Sequence, residues 1–140
     1  ALEEEGMADR VEFELVSPEK LFLSELVEMV VVPGAEGDVG VLPGHSPLIC
    51  SVRPGVIDVY EDGAVRQSIF VAGGFAEVSL ERCTVLAEEA VWVGDIDREE
   101  AEERLKASKL AEAEADEVDR KAAEGERRIA EAKVAAAASG

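Results

Sequence analysis

Within ten residues the chain places three ionisable side chains, Glu36, Asp38 and His45, on a stretch that no helix can hold. Two carboxylates and an imidazole suffice for general acid–base chemistry. That chemistry also needs a nucleophile, a metal set or a phosphate-binding loop, and residues 34–44 contain no basic side chain to hold an anion. The stretch Val32-Pro33-Gly34-Ala35-Glu36-Gly37-Asp38-Val39-Gly40-Val41-Leu42-Pro43-Gly44-His45-Ser46-Pro47-Leu48 is instead turn, strand, turn. Its prolines fix φ and push each preceding residue into extended backbone, and its glycines permit tight turns. A surface loop with so few free dihedrals suits contact with another molecule. A lone histidine after Pro-Gly reads as a packing or hydrogen-bonding residue rather than a proton carrier.

Cys50 and Cys83 each lie among apolar strand residues, which fits small buried thiols better than a disulfide. With one histidine and two cysteines, no zinc spacing exists, so neither a structural metal nor a cofactor is expected.

The elements that position these residues fall into two parts. All five prolines, ten of the twelve glycines and all six aromatics precede Asp97, and thirteen alanines interleaved with charge follow it. The expected divisions are a disordered segment at 1–9, in part a remnant before the start-like Met7-Ala8-Asp9, a core-forming domain at 10–95 and a helical domain at 96–140. Val11-Glu12-Phe13-Glu14-Leu15 alternates with period two, as a half-buried strand does. Further strands are expected at 21–26, 27–32, 39–42, 48–52, 56–60, 64–71, 75–80, 84–88 and 90–93, with a hairpin at Asp62-Gly63. Ten short strands without intervening helices predict two packed antiparallel sheets, a β-sandwich.

Beyond it, Asp97 caps a helix whose thin stripe is Ala101, Leu105, Ser108 and Ala111 or Glu112. Asp116 followed by Asp119 reads as a second cap, predicting a helix-turn-helix hairpin, with one long rod as the alternative. Val118, Ala122, Gly125, Ile129 and Ala132 make the second stripe.

The net charge is −18, with 19 acids against 5 bases before residue 97 and 13 against 9 after it. Phosphates repel such a surface, so direct binding to nucleic acid or anionic lipid is not expected. No apolar run approaches the roughly 18 residues a membrane span needs, and no secretory h-region is present, which points to the cytosol.

The 32–48 stretch, continued through Leu48-Ile49-Cys50-Ser51-Val52-Arg53-Pro54-Gly55-Val56-Ile57, resembles the epsilon subunits of F-type ATP synthases, whose mitochondrial counterpart is called delta. Phe22-Leu23-Ser24-Glu25-Leu26-Val27-Glu28, Ala72-Gly73-Gly74-Phe75-Ala76-Glu77-Val78 and Gly94-Asp95-Ile96-Asp97 extend the likeness. The resemblance implies a non-catalytic rotor subunit of the central stalk, bound to gamma and to the c-ring, which couples proton flow to ATP synthesis. It places Glu36, Gly37 and Asp38 at the c-ring, and Ser17 and His45 at gamma. It implies a peripheral position on the cytoplasmic face of a bacterial inner membrane, without direct insertion. It further implies a hairpin able to extend into the catalytic alpha/beta hexamer and restrain hydrolysis. Arg120, Lys121, Arg127, Arg128 and Lys133 are the bases available for that contact, though Glu124, Glu126 and Glu131 interleave with them as on any solvated helix face.

Some members bind ATP through an Ile/Leu-Asp-x-x-Arg-Ala motif and arginines on the second helix. Here Ile96, Asp97 and Ala101 match, but Glu100 stands where the arginine belongs, and Ala122 and Ala123 stand near the place of another. Arg98 projects about 200° around the axis from that position. The readings in competition are a small ligand-binding or adapter sandwich, whose loops lack the aromatics a sugar site wants, and the acid–base enzyme considered first.

Overall fold

The computed structural model describes residues 10–139, so the expectation for residues 1–9 lies outside it. Ten strands, β1 (Val11–Val16), β2 (Leu21–Val27), β3 (Met29–Gly34), β4 (Gly37–Val41), β5 (Leu48–Val52), β6 (Gly55–Glu61), β7 (Ala64–Val71), β8 (Gly74–Val78), β9 (Arg82–Ala87) and β10 (Ala90–Trp92), form two five-stranded halves. One runs β10-β7-β6-β3-β4 and the other β5-β8-β9-β1-β2; the Gly34–Val52 pair alone joins them. Their inner faces share one core, in which Phe13, Leu15, Cys83 and Val85 from one half meet Val30, Ile57, Val59 and Ile69 from the other. At the far side β2 and β10 are closed by Phe22 against Trp92, ring centroids 5.1 Å apart. This is the sandwich the strand spacing predicts.

Local signals translate directly. β1 buries Val11, Phe13 and Leu15 and leaves its glutamates half-exposed. Asp62 and Gly63 take φ of 54° and 75°, the left-handed pair that a two-residue hairpin turn requires. Three details differ. β1 runs parallel to β9, which the antiparallel expectation does not contain; strands so distant in sequence are free of the hairpin geometry that makes neighbours antiparallel. The break between the second and third strands falls at Glu28 rather than after Leu26, because Val27 pairs with Val11 and the Glu28 carboxylate accepts from the Asp62 amide at 2.8 Å. Val93 belongs to a short 3-10 turn, Val93–Asp95, not to the last strand.

Helices α1 (Arg98–Glu114) and α2 (Arg120–Ser139) follow. Asp97 accepts from the Glu100 amide at 3.2 Å and Asp116 from the Asp119 amide at 2.9 Å, so both predicted caps are formed and the chain makes a hairpin, not a rod. The second stripe holds in its C-terminal half: Ile129 and Ala132 lie in the seam, joined by Ala136, whereas Val118 is 87% exposed and Ala122 and Gly125 also face water. The seam residues cover the outer face of β7, where Phe70 and Ala72 join Val56, Val91, Val93 and Ile96. The run Ile69-Phe70-Val71-Ala72 is apolar without alternation because both its faces are covered.

We propose that residues 10–95 fold without the hairpin, since the shared core lies wholly within them. Truncation after Ile96 is expected to keep a cooperative unfolding transition. Uncovering Phe70 removes about 1.5–3 kcal/mol, which lowers Tm by on the order of 10 °C for a domain of this size. Loss of cooperativity in a thermal melt would place the helices inside the core.

Candidate protein-contact surface

Around the glycine- and proline-rich stretch, β3 and β4 pair as far as Gly34 opposite Gly37, which leaves Ala35 and Glu36 as the turn. A Cβ on Gly34 would lie 2.6 Å from the Gly37 carbonyl oxygen, so the approach of the two strands requires glycine there. The Ala35 amide donates to the Ser51 carbonyl at 2.8 Å. Arg53 holds the loop from the other side: its amide donates to the Pro33 carbonyl at 2.9 Å, Nη1 to the Gly34 carbonyl at 2.6 Å and Nη2 to Asp38 Oδ1 at 2.6 Å. Glu36, Gly37 and Asp38 are all exposed on this braced hairpin. Asp38 is ion-paired, and Glu36 has no ion-pair partner among the described residues. Arg53 escaped sequence reasoning, although it is the only lysine or arginine between Lys20 and Arg66 in a stretch rich in acids, and that isolation is a usable signal.

His45 is half-buried in the following turn. Its Nδ1, at 2.6 Å, donates to the Ser46 carbonyl, its amide donates to the Leu42 carbonyl at 3.2 Å, and the neighbouring Gly44 amide donates to Leu80 at 2.8 Å. Ser17 sits between β1 and β2, its amide donating to the Lys20 carbonyl at 2.9 Å. No hydrogen bond joins Glu36, Asp38 and His45 to one another among the described residues, so nothing couples them as acid and base.

Between the Ser17 and His45 turns lies the outer face of the β5-β8-β9-β1 sheet. Phe75 is 59% exposed and Leu86 55%; they are cross-strand partners, and Val16 continues their row onto β1. Ile49 on β5, 74% exposed, flanks them beside Glu77. Ser17 and Pro18 line a shallow groove with Val16, Phe75 and Leu86. Glu12, Glu14 and Arg82 form ion pairs along the β1 side. An apolar patch with a charged rim marks a surface that another molecule covers. Sequence reasoning did not single it out; the signal is the lost alternation in Leu48-Ile49-Cys50 and Val85-Leu86-Ala87, where outward positions are apolar too.

At the helix junction, Ile96 packs into the β7 seam, Asp97 is spent on capping and Ala101 is buried. Glu100 lines a small hollow with Arg104 and Lys133. Both cations turn to Glu89, between β9 and β10: Arg104 Nη1 lies 3.0 and 3.1 Å from the two carboxylate oxygens and Lys133 Nζ 2.8 Å from Oε2. Burial pushes the Glu89 carboxyl up, but the bonds from Lys133 and Arg104 outweigh it and hold the group below the usual carboxylate range. Arg127 pairs with Glu112 across the helices and Arg128 with Glu124 along α2, so three of the five bases expected to meet a partner are engaged within the chain. Cys50 and Cys83 are free thiols, and burial, with a smaller effect of Cys50, pushes Cys83 up to about 12, which leaves it unreactive. Among the described residues no helix is long and apolar enough to cross a membrane.

The fold and surface define a class: a β-sandwich with its own helical hairpin over one outer face and an uncovered apolar patch on the other. A family model described as ATP synthase, Delta/Epsilon chain, beta-sandwich domain matches residues 10–93. The chain therefore belongs to the ATP synthase delta/epsilon family and is an ATP synthase subunit. It is 53% identical over 132 residues to the ATP synthase epsilon chain of Rhodospirillum rubrum, which spans 93% of this chain and 98% of that one. The epsilon chain of Paramagnetospirillum magneticum is 62% identical over 105 residues, 75% and 79% of the two chains. Among solved structures, a chain of the Euglena gracilis mitochondrial ATP synthase, in an assembly of OSCP, F1 and c-ring, superposes with a TM-score of 0.79 at 27% identity, covering 91% of this chain and 81% of that one. A chain of the Tetrahymena thermophila mitochondrial enzyme shares the fold, with a TM-score of 0.60 at 14% identity, covering 91% and 96%.

Arg53→Ala removes the brace from the Glu36 turn. The exposed Asp38 pair contributes little by itself, so the expected loss is about 1 kcal/mol, chiefly from the carbonyl bond. Faster amide exchange at residues 35–38 should accompany it. Exchange unchanged from the parent chain would mean that the backbone ladder alone holds the loop.

Proposed function

We propose that this chain is a rotor subunit of the central stalk, non-catalytic itself, that binds gamma through the Phe75–Leu86–Ile49 face and the c-ring through Glu36, Gly37 and Asp38. The observation that carries the reading is the uncovered apolar face, framed by the Ser17 and His45 turns. A partner covering it gains the hydrophobic contribution that the hairpin already supplies on the opposite face. The braced β3–β4 hairpin offers the c-ring a stiff contact, as torque transfer requires, and the likeness to a chain in an F1 and c-ring assembly supports the placement. On this reading the subunit couples proton flow to ATP synthesis and sits peripherally on the cytoplasmic face of a bacterial inner membrane. Its hairpin, when extended into the alpha/beta hexamer, restrains hydrolysis.

Cysteines placed by Gly37→Cys and Asp38→Cys are expected to crosslink to the polar loops of the c-ring in assembled enzyme, and Phe75→Glu to abolish co-purification with gamma. Assembly at full yield without either crosslink would remove the c-ring assignment; undiminished gamma binding by the Phe75 variant would remove the other.

The isolated chain is expected not to bind ATP at micromolar concentration. Glu100 sets a carboxylate where the resemblance puts the motif's arginine, and Arg104 and Lys133, which line the same hollow, are engaged by Glu89. Losing one charge-assisted bond costs about 1.5–3 kcal/mol, ten-fold or more in affinity. A flat calorimetric titration, with and without magnesium, is the expected result, and a one-site isotherm would contradict it.

A further inference from the structure

We propose that Glu89 is a latch that docks the hairpin on the sandwich, one carboxylate taking a cation from each helix, so that both helices are held or released from the sandwich by one group. Arg104 comes from α1 and Lys133 from α2, and both reach the same turn between β9 and β10. Beneath them the apolar seam is thin: among the described helix residues only Ala101, Ala130, Ala136 and Ala137 are fully buried. Alanines contribute little area each, so ion pairs weigh more in docking than they would above a leucine-rich seam. Lys133 is 17% exposed along its side chain and lies 6.0 Å above the Phe70 ring, which reduces the water competing for its charge. Between the helices Arg127 and Glu112 pair with no sandwich residue involved, and Arg104 also lies 3.8 Å from Glu126 of α2, so Glu89→Gln removes neither pair.

This latch supplies the control for the regulatory hairpin proposed above and rests on that reading only for its consequence. The docking itself is measurable on the isolated full-length chain, independently of any assembly. Nitroxides on Glu81→Cys in the sandwich, Glu103→Cys on α1 and Lys121→Cys on α2, placed pairwise with Cys50 replaced by serine, report the two joints. In Glu89→Gln the undocked-to-docked ratio should rise about ten-fold, two screened charge-assisted bonds being lost. The helix-to-helix distance should stay as in the parent chain. Arg104→Gln and Lys133→Gln should each produce part of the shift, and they serve if the Glu89 variant does not fold. Raising salt should undock the parent chain and leave Glu89→Gln unmoved.

Acid should act as salt does. The carboxyl is lowered in the docked state, so its contribution is present above the ordinary glutamate range and is lost as pH falls through the lowered one. Arg104, Lys133 and Glu126, with Glu100, Asp95 and Asp97 around the hollow, are the charged groups facing that corner, with Glu88 beside Glu89 on its own turn. Docking indifferent to Glu89→Gln, or to salt in the parent chain, would overturn the proposal.

Discussion

Phe70 and Phe75 stand five residues apart and point outward from opposite halves of the sandwich, and the whole architecture turns on keeping water from both. A small two-sheet domain normally makes its inner faces apolar and its outer faces polar. Here both outer faces carry aromatic and aliphatic residues, so the inner core completes only part of the burial the sequence encodes. The chain covers Phe70 with its own α2 and leaves Phe75 in water. The hairpin supplies cover on one side within the chain, and the proposed partner would supply it on the other.

How far this was legible in the sequence follows from the range of each interaction. Val11 to Leu15, Asp62-Gly63, Asp97 and Asp116 act within a few residues, and each forms the element its type dictates. What stayed hidden was tertiary. The break at Glu28 is set by Val27 pairing with Val11 and by an amide of the β6–β7 turn, neither visible from the local pattern. Arg53 and Glu89 look like ordinary surface charges until the fold brings Asp38 to one and two helices to the other. The Phe75–Leu86 face was readable in part, since alternation fails on its strands, but a failed alternation does not say whether a helix or a foreign surface does the covering.

The two charged assemblies also differ in kind. Arg53 binds two backbone carbonyls as well as Asp38, so its work is to hold a shape, and salt should affect it little. Glu89 binds only side-chain cations, from helices that rest on the sandwich through a thin, alanine-rich seam, so its work is to hold a position. On the function proposed above, the first would serve a part that transmits force and the second a part that leaves its seat.

The parallel ladder of β1 with β9 bears on how the chain is made. Glu12 and Arg82 are 70 residues apart, and every pair of that ladder is as distant, so β1 leaves the ribosome long before its second neighbour exists. Until then the β1–β2 hairpin presents an open edge carrying Phe13 and Leu15, a surface prone to pairing with other chains. Closure must wait for nearly the whole sandwich sequence, and contacts of such separation place folding among the slow topologies, in milliseconds to seconds. The alternating glutamates of β1, Glu12 and Glu14, then have a second use: they keep the waiting edge charged until Arg82 arrives to meet them.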